Sequence, residues 1–317
     1  MLTRVIHSLK AVEGYLSGED LSRELKVSRA AVWKYIDQAR ALGYEIEAVP
    51  HRGYCLVSVP DKLLPQEVQY GLAAKKFGCH VHYFDTIAST MDEAFRFGMA
   101  GEPEGTVVVA ETQTKGRGRM GRAWASPKGK GLYFSIILRP DCALQEISKL
   151  TLVAAVAVSE AVEKATGVRA LIKWPNDLLL GNRKLCGILT ELRAELDRAQ
   201  FAVVGIGLNV NTPAGQLIPE AASLKGETGK NISRAAVLQE ILRTFEKRYT
   251  AGQQDAYADT LNEWRARSAT IGKIVQFQEA GRKVEGLAVD LDRDGALLVR
   301  VGSGKVIKRM AGDIFLG

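Results

Sequence analysis

The sequence has few of the residues that build metal centres or disulfide frameworks. It contains four cysteines and four histidines in 317 residues, and no two cysteines form a C-x-x-C pair. The cysteines are Cys55, Cys79, Cys142 and Cys186. We therefore expect isolated reduced thiols and no metal-binding site.

Long apolar segments are missing as well. The longest, from Leu150 to Val158, is far shorter than the ~20 residues that a membrane-spanning helix needs. The first residues, MLTRVIHS, lack the apolar core of a signal peptide. The composition, 46% hydrophobic and 25% charged, is ordinary for a globular protein. We expect a cytoplasmic protein with no membrane partner.

Two common enzyme motifs, G-x-x-x-x-G-K-[ST] and G-x-S-x-G, are absent. A G-x-G-x-x-G motif does occur, from Gly116 to Gly121. A dinucleotide-binding fingerprint requires a helix directly after the glycines, because the pyrophosphate rests on the helix N-terminus. Here Pro127, Gly129 and Gly131 follow and break any helix, and a strand comes next. The motif therefore does not predict a dinucleotide cofactor.

Residues 1–63 follow the order helix, helix, helix, hairpin, which is typical of a winged helix-turn-helix. Ser28 is suited to cap a third helix from Arg29 to Leu42. The cations of this helix, Arg29, Lys34 and Arg40, and the wing would contact DNA, and a dimer would bind a two-part site. The predicted DNA contacts are Ser28, Arg29, Ala30, Lys34 and Arg52. Trp33 is assigned to the core, and a small helical domain without a DNA role is the alternative.

The rest of the chain divides into two regions. Residues 64–267 mix strands and helices and are predicted to form a mostly antiparallel sheet backed by helices. The predicted elements include a strand from Gly131 to Leu138, a buried helix from Leu150 to Lys164, and a helix capped by Ser233 that ends near Tyr249. Residues 268–317 contain four short strands separated by glycines and are predicted to form a small SH3-like β-barrel. The predicted fold class is thus α+β, with domains at 1–63, 64–267 and 268–317.

The segment around Gly116 concentrates positive charge. Its five cations are Lys115, Arg117, Arg119, Arg122 and Lys128. Glycines let backbone N–H groups approach a ligand closely, and clustered cations repel one another unless an anion binds between them. The loop is therefore predicted to be mobile when empty and ordered by an anionic ligand. A solvated basic loop is the alternative.

Two further segments add polar groups and a groove. The sequence KWPND, from Lys173 to Asp177, ends a strand in a stiff turn that presents Asn176 and Asp177. Gly205 and Gly207 alternate along a strand and leave space for a flat ligand. Cations, backbone donors and aromatic faces together suit the joining of two anions. A carboxylate and the α-phosphate of ATP are such a pair, with Mg²⁺ carried by the ATP phosphates.

The combination of segments is specific. The segments are Ser89-Thr90-Met91, Gln113 with Gly116 to Trp124, Ser126-Pro127, Lys173 to Asp177, Lys184 to Glu191 and Gly205 to Asn211. Together they resemble the bifunctional biotin protein ligases that also act as biotin operon repressors. The resemblance implies that biotin and ATP form biotinyl-5′-AMP, and that the biotinyl group moves to a lysine of a carrier domain such as that of acetyl-CoA carboxylase. It also implies a homodimer, formed when the protein is loaded with the adenylate, that binds operator DNA.

The resemblance also implies residue roles. Residues implied to bind biotin are Ser89, Thr90, Met91, Gln113, Gly116, Arg117, Gly118, Arg119, Lys184, Gly187, Gly205 and Gly207. Residues implied to bind the nucleotide are Arg119, Arg122, Trp124, Lys173, Asn176, Lys184 and Asn209. Arg119 and Lys184 would face the carboxylate and the α-phosphate as catalytic groups, and Trp124 would cover the adenine, with a packing role as the alternative.

We hypothesise that Asp177 orients or deprotonates the acceptor lysine. Such help is needed because a lysine amine is protonated at neutral pH. A turn cap is the equal alternative. Two other functions also stay open. Lipoate ligases share the architecture but lack the Gly-Arg-Gly-Arg-x-Gly-Arg loop. A regulator could sense a ligand without catalysis, although such a sensor would not need to keep Arg119, Asn176 and Lys184 intact.

Overall fold

The computed structural model describes residues 1–141, 146–195, 198–279, 281–310 and 312–316. The chain divides into two compact units, Met1–Leu72 and Ala73–Gly317. Cys55, Cys79 and Cys186 are free thiols, whereas Cys142 lies outside the described residues. None of the helices in the described ranges is long and apolar enough to cross a membrane. The described side chains also include no group of three or more His, Cys, Asp or Glu that could hold a metal ion.

The first unit confirms the predicted winged helix-turn-helix order. Its elements are α1 (Leu2–Lys10), α2 (Gly18–Leu25), α3 (Arg29–Leu42), the antiparallel hairpin β1 (Glu45–Val49) and β2 (Gly53–Ser58), and α4 (Pro65–Gln69). The Ser28 hydroxyl caps α3 by accepting a hydrogen bond from the Ala31 amide, as expected for this residue type. Buried apolar residues from the first three helices, such as Ile6, Leu21 and Val32, form the core.

The short helix α4 belongs to this first unit. The Tyr44 hydroxyl donates to the Glu67 carboxylate at 2.6 Å, and the His7 Nε2 atom lies 2.9 Å from the Gln66 carbonyl oxygen. The compact unit therefore extends to Leu72. The predicted domains, at residues 1–63, 64–267 and 268–317, stay predictions.

A seven-stranded sheet in the order β3-β4-β5-β9-β8-β7-β6 forms the centre of the second unit. The strands are β3 (Val81–Phe84), β4 (Val107–Ala110), β5 (Gly131–Leu138), β6 (Leu171–Lys173), β7 (Asp177–Leu180), β8 (Arg183–Glu195) and β9 (Arg198–Asn209). The pair β3 and β4 is parallel, and the other described pairs are antiparallel. The mostly antiparallel sheet is thus confirmed.

The second unit also contains helices. They are α5 (Thr90–Met99), α6 (Ile147–Thr166), α7 (Leu224–Thr228), α8 (Arg234–Asp255) and α9 (Ala258–Ala266). Most residues of α6 are buried, because it packs against α8, α9 and the sheet. The largely apolar helix predicted from Leu150 to Lys164 is therefore correct. The sequence does not predict α5, which carries part of the site.

The C-terminal strands form a separate five-stranded antiparallel sheet. They are β10 (Ile274–Glu279), β11 (Arg282–Leu291), β12 (Leu297–Val301), β13 (Val306–Arg309) and β14 (Phe315–Leu316). Their order is β13-β12-β11-β10-β14. The four predicted strands correspond to β10 to β13, and closure of this sheet into an SH3-like barrel stays a prediction.

Candidate active site and DNA-binding surface

A cavity of about 450 Å³ lies beside β8 and β9. The glycine-rich loop between β4 and β5 and the segment after β9 also line it. The predicted site residues that line it are Ser89, Thr90, Met91, Gln113, Arg117, Gly118, Arg119, Arg122, Trp124, Asn176, Asp177, Lys184, Gly187, Gly205, Gly207 and Asn209. Gly116 and Lys173 are not among its lining residues. Segments far apart in the sequence thus meet at one place.

One end of the cavity is a hydrogen-bonded polar pocket. The Oε1 atom of Gln113 accepts hydrogen bonds from the backbone amide and the hydroxyl of Thr90, at 2.8 and 3.1 Å. The Nε2 atom of Gln113 donates to Ser126 Oγ at 3.0 Å, and Ser135 Oγ donates to Thr90 Oγ1 at 3.0 Å. These bonds hold the polar groups in place before a ligand arrives. Ser126 and Ser135 are not among the predicted site residues.

Ser89 and Arg117 complete this polar end. Ser89 caps α5, and its hydroxyl lies 3.4 Å from an Arg117 nitrogen. Arg117 forms ion pairs with Asp92 and with Glu191, the latter at 2.9 Å. Burial alone would lower the pKa of Arg117, but its hydrogen bonds to the two carboxylates outweigh burial and raise that pKa. Arg117 therefore stays charged and fixed in position.

The glycine-rich loop folds back on itself without entering a regular helix. Gly118 donates to the Arg122 carbonyl at 2.7 Å, and Trp124 donates to the Gly116 carbonyl at 2.9 Å. A Cβ on Gly116 would lie 2.6 Å from the Trp124 carbonyl oxygen, so this glycine permits the close chain reversal. The next regular element is β5, which agrees with the rejection of a dinucleotide fingerprint.

The prediction that the five loop cations repel one another unless an anion binds between them is wrong for three of them. Arg117, Arg122 and Lys128 are each paired with carboxylates of the protein, and the partner of Arg122 is Asp313. Arg119 differs, because it contacts no carboxylate among the described residues. It donates to Asn176 Oδ1 at 3.1 Å and lies 3.4 Å from the Gly312 carbonyl oxygen. Arg119 is therefore the loop arginine best placed to accept an anionic ligand.

Two buried asparagines face the cavity. Asn176 follows the cis Trp174–Pro175 bond, and its Nδ2 atom donates to the Ile188 carbonyl at 2.6 Å. Asn209 ends β9, and its Nδ2 atom donates to the Ala222 carbonyl at 3.1 Å. Each amide group is thus oriented by one bond to the backbone. The expected stiff turn at KWPND places Asn176 beside Arg119.

Asp177 and Lys184 form an ion pair across β7 and β8. The Lys184 Nζ atom lies 2.7 Å from Asp177 Oδ1, and 5.6 Å from the centre of the Trp124 ring. The carboxylate therefore orients Lys184. Neighbouring Cys186 is fully buried, and burial raises the pKa of its thiol well above the ordinary value. This thiol stays protonated and unreactive at neutral pH.

The strand glycines make room for two protein side chains. Gly187 and Gly207 stand opposite each other on β8 and β9, and a Cβ on Gly207 would lie 2.4 Å from the Trp124 ring. A Cβ on Gly205 would lie 2.3 Å from the Met91 sulfur. The expected empty groove is therefore covered by Trp124 and Met91. The buried Nε1 atom of Trp124 has no hydrogen-bond partner within the described residues, and it is available to a ligand in the cavity.

The sequence does not predict part of the cavity lining. The cavity-lining residues that the sequence does not identify include Gln216, Leu217, Ile218, Glu220, Ala221 and Asp313. The sequence does offer a signal for Leu217 and Ile218, because they are adjacent apolar residues. In the structure they lie in a loop, and Ile218 is 68% exposed. No comparable signal marks Asp313, whose role depends on the fold alone.

In the first unit, α3 presents its predicted DNA contacts to solvent. Arg29, Ala30 and Lys34 are exposed, as is Arg52 in the wing. The Arg52 guanidinium lies 4.0 Å from the centre of the Tyr15 ring. Ser28 serves as the helix cap and is also exposed.

Two expectations about α3 need correction. Trp33 is 59% exposed and is not part of the core, because Val32 and Ile36 occupy the buried face of the helix. Arg40 was expected to add to the DNA-facing charge. Its guanidinium instead donates to the Ile46 carbonyl at 2.7 and 3.1 Å, which ties α3 to β1.

Three family models match the chain in the same order as these structural regions. An HTH domain matches residues 2–55. The biotin/lipoate A/B protein ligase family matches residues 83–209, and the biotin protein ligase C-terminal domain matches residues 270–317. The bifunctional ligase/repressor BirA of Bacillus subtilis (strain 168) is 41% identical over 96% of this chain and 94% of its own length.

The chain belongs to the BirA family of bifunctional ligase/repressors. The BirA protein of Escherichia coli (strain K12) is 32% identical over 95% of this chain and 92% of its own length. A solved biotin protein ligase from Aquifex aeolicus, in complex with biotin and ATP, is 30% identical. It matches with a TM-score of 0.65 over 75% of this chain and 99% of that one. BirA family membership thus agrees with the resemblance inferred from the sequence.

Proposed function

We propose that this chain is a biotin protein ligase and a biotin-responsive transcriptional repressor. The observation that carries the ligase function is one continuous cavity with a fixed polar pocket at one end and Arg119 and Lys184 beside an aromatic platform. The relatives are bifunctional ligase/repressors. Biotin and Mg²⁺-ATP are the substrates, and biotinyl-5′-AMP is the product of the first step.

Biotin binds with its ureido ring in the polar pocket. Ser89, Thr90 and Gln113 supply hydroxyl, amide and backbone groups that match the donors and acceptor of a cyclic urea. Met91 packs against the apolar part of the ligand. The ion-paired Arg117 holds α5 and β8 together around this pocket.

Arg119 and Lys184 bind the biotin carboxylate and the α-phosphate of ATP. The carboxylate is ionised at neutral pH and needs no base, so the barrier to its attack is electrostatic repulsion from the phosphate. Two cations reduce this repulsion and stabilise the charge that develops on the phosphoryl oxygens. Trp124 provides the face for adenine, Asn176 and Asn209 bind the nucleotide, and Arg122 is held near the cavity by Asp313.

The second step transfers the biotinyl group to a lysine of a biotin carboxyl carrier domain, such as that of acetyl-CoA carboxylase. The winged helix-turn-helix binds operator DNA through α3 and the wing. We further propose that the adenylate-loaded protein forms a homodimer. The protein would work in the cytoplasm, where ATP, carrier protein and operator DNA are all available.

Native mass spectrometry of the purified protein with biotin and Mg²⁺-ATP tests the proposal. We expect a bound mass that matches biotinyl-5′-AMP, together with a population of dimer. Lipoate in place of biotin is the matched control and should give no adduct. If the folded protein forms no biotinyl adduct, the ligase function is wrong, and an adduct with lipoate alone would assign the chain to the lipoate ligases.

A further inference from the structure

A fully buried serine lies in the middle of β5. The other residues of this strand are apolar or aromatic, and Ser135 is 0% exposed. Its neighbours across the sheet are Val108 on β4 and Gly205 on β9, neither of which has a polar side chain. A buried hydroxyl costs stability unless it has a hydrogen-bond partner, and alanine would occupy the same place without that cost. The Ser135 hydroxyl therefore needs a reason outside the packing of the sheet.

The partner of Ser135 is Thr90, at the start of α5. Ser135 Oγ donates to Thr90 Oγ1 at 3.0 Å, and both residues are buried. Thr90 lines the candidate active-site cavity, whereas Ser135 is not among the lining residues. Ser135 can thus affect a ligand in the cavity through Thr90 without touching the ligand itself.

The contacts of Thr90 determine which group donates in each bond. The backbone N–H of Thr90 can only donate, so the Gln113 atom that lies 2.8 Å from it is the amide oxygen. The Thr90 hydroxyl lies 3.1 Å from the same oxygen and must donate to it. Because this hydroxyl has only one proton, Ser135 must be the donor in the bond between the two hydroxyl groups.

These bonds leave one acceptor and one donor for a ligand. A hydroxyl oxygen has two lone pairs, and the Ser135 bond occupies one of those on Thr90, so the other remains as an acceptor. In Gln113 both lone pairs of the amide oxygen are occupied, and one amide proton is bound to Ser126, so one proton remains as a donor. An acceptor beside a donor matches a urea group, in which an N–H group stands next to a carbonyl oxygen. The dithiolane ring of lipoate has neither group.

We propose that Ser135 is a positioning residue that makes Thr90 a hydrogen-bond acceptor for the urea group of biotin. The role rests on the ligase function proposed above. Without the Ser135 bond, the Thr90 hydroxyl is free to leave Gln113 and to turn its proton towards the cavity, where it would face an N–H group. Ser135 therefore contributes to biotin affinity and to the preference for a cyclic urea. It contributes nothing to ATP binding or to the chemical step.

Ser135→Ala tests this role. We expect the Kd for biotin, measured by isothermal titration calorimetry without ATP, to rise by about five- to ten-fold, as for the loss of one well-placed hydrogen bond. Pyrophosphate exchange at saturating biotin should keep its kcat and its KM for ATP. Ser159→Ala is the matched control, because Ser159 is also fully buried and donates to the Ala170 carbonyl at 2.6 Å, but does not line the cavity. It should lower stability in urea unfolding and keep the wild-type Kd for biotin.

A double-mutant cycle with Thr90→Val shows whether Ser135 acts through Thr90. Once the Thr90 hydroxyl is gone, Ser135→Ala should weaken biotin binding no further, and losses that add up overturn the role. Desthiobiotin, which keeps the urea group but lacks the sulfur ring, should lose affinity in Ser135→Ala by the same factor as biotin. A loss for biotin alone also overturns the role, because Met91, which packs over Gly205 beside Ser135, would then carry the effect.

The same titrations separate this role from the ligase function. Unchanged biotin binding by Ser135→Ala overturns the positioning role and leaves the ligase function intact. A wild-type protein that does not bind biotin contradicts the ligase function itself, so the two failures are distinguishable.

Discussion

At the scale of single residues, Trp33 is the most exposed aromatic side chain on α3. Its ring lies one turn after Arg29 and next to Lys34 on the solvent face of α3, and 59% of the residue is accessible. Because the ring is exposed, burial in the core of the unit does not explain a large apolar side chain at this position. Apolar side chains of a recognition helix contact thymine methyl groups in the major groove. We infer that Trp33 contributes to operator recognition together with the neighbouring cations.

Trp33→Ala should therefore weaken operator binding without unfolding the domain. The expected loss is about 1–3 kcal/mol of binding free energy for a lost contact to a base, whereas an exposed site changes the free energy of unfolding by less than about 0.5 kcal/mol. Fluorescence anisotropy with a duplex selected by the wild-type protein from random DNA measures the affinity. Val12→Ala, at another exposed apolar residue of the same unit, is the control. Equal affinities of the two variants would contradict the role of Trp33.

The side chains of KWPND show what a sequence can and cannot predict about a residue. The turn and its polar side chains were predicted, because Trp-Pro followed by Asn-Asp has strong local preferences. The hydrogen-bond and ion-pair partners of Asn176 and Asp177 could not be predicted, since they depend on strand pairing. A register shift between Leu178 and Leu179 lets Asp177 pair with Gly187 in the register of β7 and β8, and the ion pair with Lys184 follows from that geometry.

At the scale of elements, strong local patterns predicted most of the fold. The strand β5 has the predicted bounds, Gly131–Leu138, because its eight residues are all buried and all but Ser135 are apolar or aromatic. The helix α5 was not predicted, although Ser89 and the acidic Asp92 and Glu93 form a helix start signal. The family resemblance implies only ligand-binding roles for Ser89 and Thr90, and the structure places both at the start of α5 as well.

The C-terminal end of α8 shows how tertiary contacts extend a helix beyond its local signal. The helix was predicted to end near Tyr249, but it continues to Asp255. Gly252 lies within the extension, and a Cβ at this position would lie 2.0 Å from the Tyr257 ring. The glycine that weakens the helix locally therefore provides the space into which Tyr257 packs.

A buried ion pair joins the start of α8 to the end of β4. Arg234 donates to Glu111 at 2.8 Å, and both side chains are almost fully buried. Arg234→Met should destabilise the fold by about 3–5 kcal/mol, because it leaves a carboxylate buried without this cation. Urea unfolding measures the change, and Lys247→Met, at an exposed residue of the same helix, is the matched control. The expectation fails if the two variants unfold at the same urea concentration.

At the scale of the whole molecule, the site depends on contacts between distant parts of the chain. Arg122 pairs with Asp313, and the Gly312 carbonyl oxygen lies close to Arg119. The motifs predicted most of the cavity because its residues are concentrated in a few short segments. The contribution of the C-terminal segment could not be predicted, since a lone Asp-Ile pair carries no local pattern.

Dimerisation would link the two proposed activities. If the adenylate drives dimerisation, operator affinity should rise when both biotin and Mg²⁺-ATP are present, since a dimer engages both halves of a two-part site. With Arg29, Lys34 and Arg52 contacting phosphates in each of two protomers, the slope of log affinity against log salt should be about −5. Lys34→Ala should reduce its magnitude by about 2 in the dimer. Binding measured by anisotropy at several salt concentrations checks both values. If operator affinity does not change when biotin and Mg²⁺-ATP are added, the adenylate does not control DNA binding. The repressor function would then be independent of the ligase function.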